Sequence, residues 1–405
     1  MTLINNYICC LCESQLPSEV ILTLPETPLA NNFSINKQTV ETYPLNIVAC
    51  TECCHVQLRE KVDPNIIFKN YLYKSGISKT FVKHFMDYVN TVTSDLNIKK
   101  TSKVLEIGAN DGTLITLFYD QGFKNLYAIE PASNLAPKSK KKNIEWICEF
   151  FNLKYSKTFL GKFGKMDLIC ANNVLAHSPN LFEIFKGISE ILEDDGILTF
   201  EVSYLMDLVK NCFFDMIYHE HYSYHHLLPL YQILPKYGLN LYDVEKISTH
   251  GGSIRCFVSK TKKEPSKRLI SMITQEHSYF NDLKHSFSEL DNKITLNANS
   301  LTDKILINNN FSNNIIGFGA PAKFTTLFYR FNLLNLKIKC IIDDNDLKID
   351  KFTPGTNIPI VSYDEIKKHL PAIVIVFAWN FFEIIALRLK KDFGDQVFII
   401  NPMEN

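Results

Sequence analysis

Val104-Leu105-Glu106-Ile107-Gly108-Ala109-Asn110-Asp111-Gly112 is the stretch on which the fold turns. An apolar run ending in glycine reads as a buried strand, and the residues after it read as a tight turn into a helix. Gly108 and Gly112 permit that turn and let a ligand approach the backbone closely. The spacing differs from the G-x-G-x-x-G of a dinucleotide loop. Instead an acid, Glu106, stands two residues ahead of the first glycine, where it would favour a cationic group. The next strand, Leu126-Tyr127-Ala128-Ile129-Glu130, ends in a second acid, placed to accept protons from ribose hydroxyls.

Working outward, strands are expected at Met166–Ala171, Ile197–Val202 and Ser253–Ser259, with helix-length segments in between. That alternation predicts an α/β fold with a mainly parallel sheet. It restarts after an Asn-rich boundary at Asn308–Asn314, with Ile315-Ile316-Gly317, Lys339–Asp343, Ile373–Ala378 and Val397–Ile400. The chain therefore divides at residues 1–68, 69–259, 260–309 and 310–405: a cysteine-rich domain, a central α/β domain, a helical connector and a smaller C-terminal α/β domain.

Lys+Arg and Asp+Glu are both 43, so nothing suggests a nucleic-acid partner. The short basic runs Lys138–Lys142 and Lys260–Arg268 read as solvated surface. The strongest apolar run, Ile373–Trp379, is far short of the ~20 residues that span a bilayer, and the N-terminus carries no secretory pattern. A cytoplasmic protein with no membrane partner is expected. In a reducing compartment, eleven cysteines argue for metal ligation or burial, not for disulfides.

Six of those cysteines precede residue 55. Cys9-x-x-Cys12 and Cys50-x-x-Cys53 form two knuckles whose four thiolates suit one structural zinc ion, leaving no open coordination position. Cys10, Cys54 and His55 lie beside the expected ligands, and His55 could replace one of them. A second dense group is Tyr218-His219-Glu220-His221-Tyr222, which as an extended segment would divide its side chains between two faces. His177, in Asn172-Asn173-Val174-Leu175-Ala176-His177, follows the fourth strand at the carboxyl edge of the sheet, where α/β enzymes place ligands.

Together, Glu106, Gly108, Gly112 and Glu130 resemble the class I methyltransferase signature, with S-adenosylmethionine as the methyl donor. The resemblance then becomes more specific. The chain is similar to the sugar C-methyltransferase family through Pro28–Asn31, Tyr71–Ser75, Glu106–Gly112, Asn173–His177, Phe214–His221, His250–Arg255 and Gly317–Lys323, in the family's order. Pro321 departs from the small residue expected in the last stretch.

That resemblance implies a class I methyltransferase domain flanked by a zinc-binding domain and a C-terminal Rossmann-like domain. It implies methylation of a nucleotide-linked 4-keto-deoxyhexose beside the ketone, at C-3, through an enolate. Glu106, Gly108, Asn110, Asp111, Gly112, Glu130 and Asn173 would hold the cofactor. Tyr218, Glu220, His221 and His177 would line the reacting centre. His221 is expected as base with Tyr218 as rival or relay, Glu220 would orient an imidazole, and His177 would face the ketone oxygen. Tyr71, Tyr73 and Ser75 would close the site. Gly317, Gly319 and Lys323 would take the substrate's pyrophosphate, or else belong to a unit that serves only to pack. An O- or N-methyltransferase and a non-catalytic zinc-bearing interaction protein are the alternatives.

Overall fold

The computed structural model describes residues 3–4, 6–68, 74–77, 79–136, 143–308 and 314–404. Tyr71, Tyr73, the Lys138–Lys142 run and most of the 308–314 boundary lie outside them.

The N-terminal segment forms strands β1 (Leu22–Thr27), β2 (Tyr43–Ala49) and β3 (Val56–Leu58), paired antiparallel. Helix α1 (Lys79–Asp95) leads into the central domain. There β4 (Lys103–Ile107), α2 (Thr113–Asp120), β5 (Asn125–Ile129), β6 (Ile144–Ile147), α3 (Leu153–Phe163), β7 (Met166–Cys170), α4 (Leu181–Ile191) and β8 (Leu192–Ser203) alternate. The chain then makes β9 (Ser223–Tyr224), β10 (Asn240–Ile247) and β11 (Ser253–Ser259).

The central sheet has seven strands in the order β10-β11-β8-β7-β4-β5-β6. Its pairs are parallel except those made by β11, which runs antiparallel to both β8 and β10. From β4 the chain first builds outward through β5 and β6, then returns to β7 on the other side. The gap between β4 and β7 is thus a topological switch point, where loops diverge and leave a crevice. The sequence reading missed β6 and β10, both half-exposed edge strands with weak apolar patterns.

Strand β9 departs from the domain division read from sequence. It follows the Tyr218–Tyr222 segment, yet it pairs with β3 and completes the N-terminal sheet in the order β9-β3-β2-β1. The Leu58 amide also donates to the Tyr222 carbonyl at 2.9 Å.

Helices α5 (Lys267–Tyr279) and α6 (Leu283–Ile307) form the connector. The last domain contains β12 (Ile315–Phe318), α7 (Phe324–Arg330), β13 (Ile341–Ile342), β14 (Ile360–Val361), β15 (Ala372–Val376), α8 (Phe382–Phe393) and β16 (Val397–Ile400). Its sheet, β14-β13-β12-β15-β16, is wholly parallel. Every residue of β15 is buried, as a strand covered on both faces requires. No helix among the described residues is long and apolar enough to cross a membrane.

Candidate active site

The loop after β4 is shaped by close packing. Gly108 adopts φ 70°, and a Cβ there would stand 2.5 Å from Cγ2 of Val174. Its neighbours use their side chains on the loop itself. The Glu130 carboxylate accepts the Asn110 amide at 2.8 Å and the Ala132 amide at 2.9 Å. Two bonds leave lone pairs on a carboxylate that can take about four, so ribose hydroxyls remain acceptable partners. Burial pushes the Glu130 carboxyl up, with these amides opposing.

Glu106, expected to favour a cationic ligand, uses one carboxylate oxygen within its own domain. Gly112 gives α2 no side-chain cap, and the Glu106 carboxylate accepts the Ile115 amide of the first helical turn at 2.9 Å. Glu106 thereby supplies the missing cap from the preceding strand. Burial pushes its carboxyl well above the usual range, and the Ile115 bond pulls it back. Asp111 accepts the amides of Thr113 and Gly76, while Asn110 Oδ1 accepts the Ser75 amide at 2.9 Å. Ser75 and Gly76, just ahead of α1, are thus fastened onto this loop.

Across the switch point, Asn173 follows β7 with φ 55°, its amide bonded to the Glu201 carbonyl at 2.8 Å. Its side-chain Nδ2 is buried without a hydrogen-bond partner. An orphaned donor next to Val174, which packs on the Gly108 turn, and a carboxylate with spare acceptor capacity fit a polar nucleoside cofactor. The floor here is a buried network the sequence reading missed. Glu201 accepts Arg255 Nε at 2.8 Å and pairs with His84 Nε2 at 2.7 Å, tying α1 to the sheet. Burial pushes Glu201 up, but His84 and Arg255 outweigh it and hold the carboxyl below its usual range.

The Tyr218–Tyr222 segment is a turn, so its side chains do not divide between two faces as they would in an extended segment. The His221 amide bonds back to the Tyr218 carbonyl at 2.9 Å, so residues three apart face each other. Tyr218 Oη lies 3.0 Å from His221 Nε2, and the His221 Nδ1 lies 2.8 Å from the Met216 carbonyl. A carbonyl can only accept, so Nδ1 carries a proton, and whenever the ring is neutral Nε2 presents its lone pair to the Tyr218 hydroxyl. His177 packs edge-on against His221 with ring centroids 4.9 Å apart, so the turn and the β7 loop meet.

Glu220 accepts Asn31 Nδ2 at 2.6 Å, a contact reaching to the N-terminal domain. His219 donates to the Tyr43 carbonyl, and burial lowers its pKa to about 4, marking it as a neutral structural ring.

The four expected cysteines come together. Cys9 and Cys53 sulfurs are 3.7 Å apart, Cys12 and Cys50 are 3.6 Å apart, and all four lie within 4.8 Å of one another. A tetrahedron of thiolates at ~2.3 Å from zinc has edges of about 3.8 Å, so the donor set fits zinc. His55 is buried but not part of the cluster, and Cys54 is exposed.

The C-terminal loop is packed from within. A Cβ at Gly317 would stand 2.4 Å from Ile341, and one at Gly319 would stand 2.6 Å from the Ala378 Cβ. Asp343 already accepts the Ala320 amide at 2.8 Å, and Lys348 Nζ bonds the Ala320 carbonyl at 2.8 Å. Lys323 is 9% exposed, with its ammonium 3.4 Å from the centre of the Trp379 ring.

The comparisons agree with this layout. Residues 9–68 match a family model described as a zinc binding domain, residues 82–244 one described as a methyltransferase domain, and residues 248–402 a C-methyltransferase C-terminal domain. The chain is 28% identical over 369 residues to C-methyltransferase NovU of Streptomyces niveus, covering 89% of this chain and 87% of that one. Similar solved structures include magnesium protoporphyrin IX methyltransferase from Synechocystis PCC 6803, at 14% identity and TM-score 0.34 over 44% of this chain and 83% of that one. Another is an S-adenosylmethionine-dependent methyltransferase from Clostridium acetobutylicum ATCC 824, at 14% identity and TM-score 0.34 over 46% of this chain and 92% of that one. With the three domain matches in tandem on a class I sheet, the chain is an S-adenosylmethionine-dependent C-methyltransferase whose four-cysteine cluster fits a structural zinc ion.

Proposed function

We propose that this enzyme methylates a nucleotide-linked 4-keto-deoxyhexose at the carbon beside the ketone, C-3, through an enolate, in branched deoxysugar biosynthesis. The observation that carries the reading is the Tyr218–His221 pair, with Nδ1 of the imidazole committed to Met216 and Nε2 open to the tyrosine hydroxyl. Transfer to nitrogen or oxygen needs no carbon acid to be deprotonated; transfer to carbon does, and a tuned base in a held geometry is what it requires.

S-adenosylmethionine, when bound, supplies an electrophilic methyl group. Glu130, Asn110 and Asn173 would hold it beside Gly108, with Asp111 and Gly112 shaping the loop. His221 Nε2 draws the hydroxyl proton of Tyr218 as the phenolic oxygen takes the proton from the sugar carbon. The electron pair of that C–H bond forms the carbon–carbon double bond as the carbonyl π pair moves onto the ketone oxygen, where His177 would donate a hydrogen bond to the enolate. Glu220, tied to Asn31, keeps the turn closed. The proton left on the imidazole returns to solvent after methyl transfer.

Mass spectrometry in deuterated water, with a panel of nucleotide-linked 4-keto-deoxyhexoses, tests the reading. Deuterium uptake beside the ketone without cofactor, and one added carbon-bound methyl with it, are expected. Tyr218→Phe and His221→Asn should each slow both events by about 10²–10⁴-fold. Full activity in both variants, or an unreactive panel with folded, cofactor-binding enzyme, would overturn it.

A further inference from the structure

Among the described contacts of His221, the one that places its ring proton is with a backbone carbonyl, that of Met216. What fixes Met216 lies in another domain. Residues Phe214–Met216 form a single short helical turn, with the Met216 amide on the Phe213 carbonyl at 3.1 Å and the Ile217 amide on the Phe214 carbonyl at 2.9 Å. So short a turn has little stability of its own. The C-terminal domain grips it on both sides of Met216. Thr326 Oγ1, in α7, donates to the Ile217 carbonyl at 2.6 Å. Trp379 Nε1 donates to Asp215 Oδ2 at 2.6 Å, and its ring stacks on Phe213 at 4.6 Å between centroids.

The grip is buried and specific. Asp215 is 0% exposed, and its second oxygen is buried without a hydrogen-bond partner. The same tryptophan also meets Lys323, whose ammonium lies over the ring face. Burial pushes the Asp215 carboxyl up, with the nearby Lys323 ammonium pulling it down; burial lowers Lys323 to about 8, with Asp215 opposing. Gly251 also closes on Phe213 and Trp379, where a Cβ would stand 2.9 Å from the Phe213 ring.

We propose that the C-terminal domain acts on catalysis through Thr326 and Trp379, positioning residues that hold the Met216 carbonyl where it keeps His221 protonated on Nδ1. This deepens the proposed function and rests on it for the role of the Tyr218–His221 pair, but the tautomer itself can be measured without substrate. A histidine in the wrong tautomer cannot accept the tyrosine proton, whatever its position.

The experiment uses full-length, zinc-loaded enzyme labelled with ¹⁵N in its histidine side chains, with His221 identified by loss of its signals in His221→Asn. The wild type is expected to show the Nδ1–H tautomer. Thr326→Val and Trp379→Phe are expected to give a mixture of tautomers and about a tenfold lower kcat with altered pH dependence, at unchanged cofactor KM, while Thr326→Ser restores both. An Nε2–H ring in the wild type, or wild-type spectra and pH profiles in both Thr326→Val and Trp379→Phe, would overturn the proposal. If the sugar panel is inert, the proposed substrate class fails while the spectra still decide the tautomer question.

Discussion

The chain contains two glycine turns built on one plan, and they end differently. After β4, the carboxylate of Glu130 takes a loop amide, Asn110, and the amide two residues beyond itself, Ala132. After β12, Asp343 does the same with Ala320 and Asn345. In both cases the acid ends or follows the neighbouring parallel strand. What differs is what stands opposite. The first loop packs its Gly108 on Val174, and the residue before that valine, Asn173, has a side-chain nitrogen buried without a hydrogen-bond partner. The second is filled by its own domain: Ala378 against Gly319, Phe377 against Gly317, and Lys348 across Ala320 and Asp343. A glycine turn with a following acid therefore marks a fold element, and the buried polar atoms left without a partner beside it are what single out the first as a candidate ligand site.

The sharpest way to break this comparison is to add one methyl group to each loop. Gly108→Ala puts a Cβ at φ 70° within 2.5 Å of Val174, between the switch-point loops. Cofactor affinity should fall by at least about 100-fold, with partial return in Gly108→Ala/Val174→Ala. Gly319→Ala makes the equivalent strain at φ 84° against Ala378. It should cost about 2–3 kcal/mol of stability with cofactor affinity unchanged. Calorimetric titration and thermal unfolding of both variants check the pair. Loss of cofactor binding in Gly319→Ala would remove the distinction.

The acids give a smaller version of the same contrast. Glu130→Ala should weaken cofactor binding by about 10–100-fold, because bonds to a charged acceptor contribute about 1.5–3 kcal/mol. Asp343→Ala leaves two amides unpaired and should lower stability by about 1–3 kcal/mol, again without touching cofactor affinity. Equal effects on binding from the two substitutions would mean that both loops serve the nucleoside.

How much of the molecule is legible in its sequence depends on the kind of signal each feature carries. The β4 loop, the zinc knuckles and the strand alternation rest on local residue patterns, and the four cysteines do converge. The turn at Tyr218–His221 is not legible in sequence because alternation of residue types says nothing about an i to i+3 hydrogen bond. That Glu106 caps α2 is hidden in sequence, since the absence of a cap at Gly112 can be seen only once α2 has an observed start. Strand β9 is two residues long and pairs with a partner far back in the chain, which no local pattern encodes. The Met216 carbonyl, which sets the imidazole tautomer, has no side-chain signature at all. Asp215, Thr326 and Trp379 are ordinary residues in sequence and acquire their role only through packing between domains.

The smallest predicted effect tests whether the second loop is closed by charge or by packing. Lys348 is half-buried beside Asp343, with 15% and 11% of their side chains exposed and 3.6 Å between charged atoms, and it also bonds the Ala320 carbonyl. Lys348→Met keeps the length of the stem and removes the ammonium. Such a partly screened pair contributes about 1 kcal/mol or less, so the unfolding midpoint should fall only slightly. If charge alone closed the loop, freeing Asp343 and Ala320 would let a nucleoside diphosphate enter, and titration of Lys348→Met with that ligand would reveal new binding. Packing by Phe377 and Ala378 predicts none, because the side chains that meet Gly317 and Gly319 are unchanged. New binding in Lys348→Met, absent in the wild type, would therefore move the second loop from joint to latent site. A titration without binding in both proteins would leave the apolar contacts as the reason the two loops part ways.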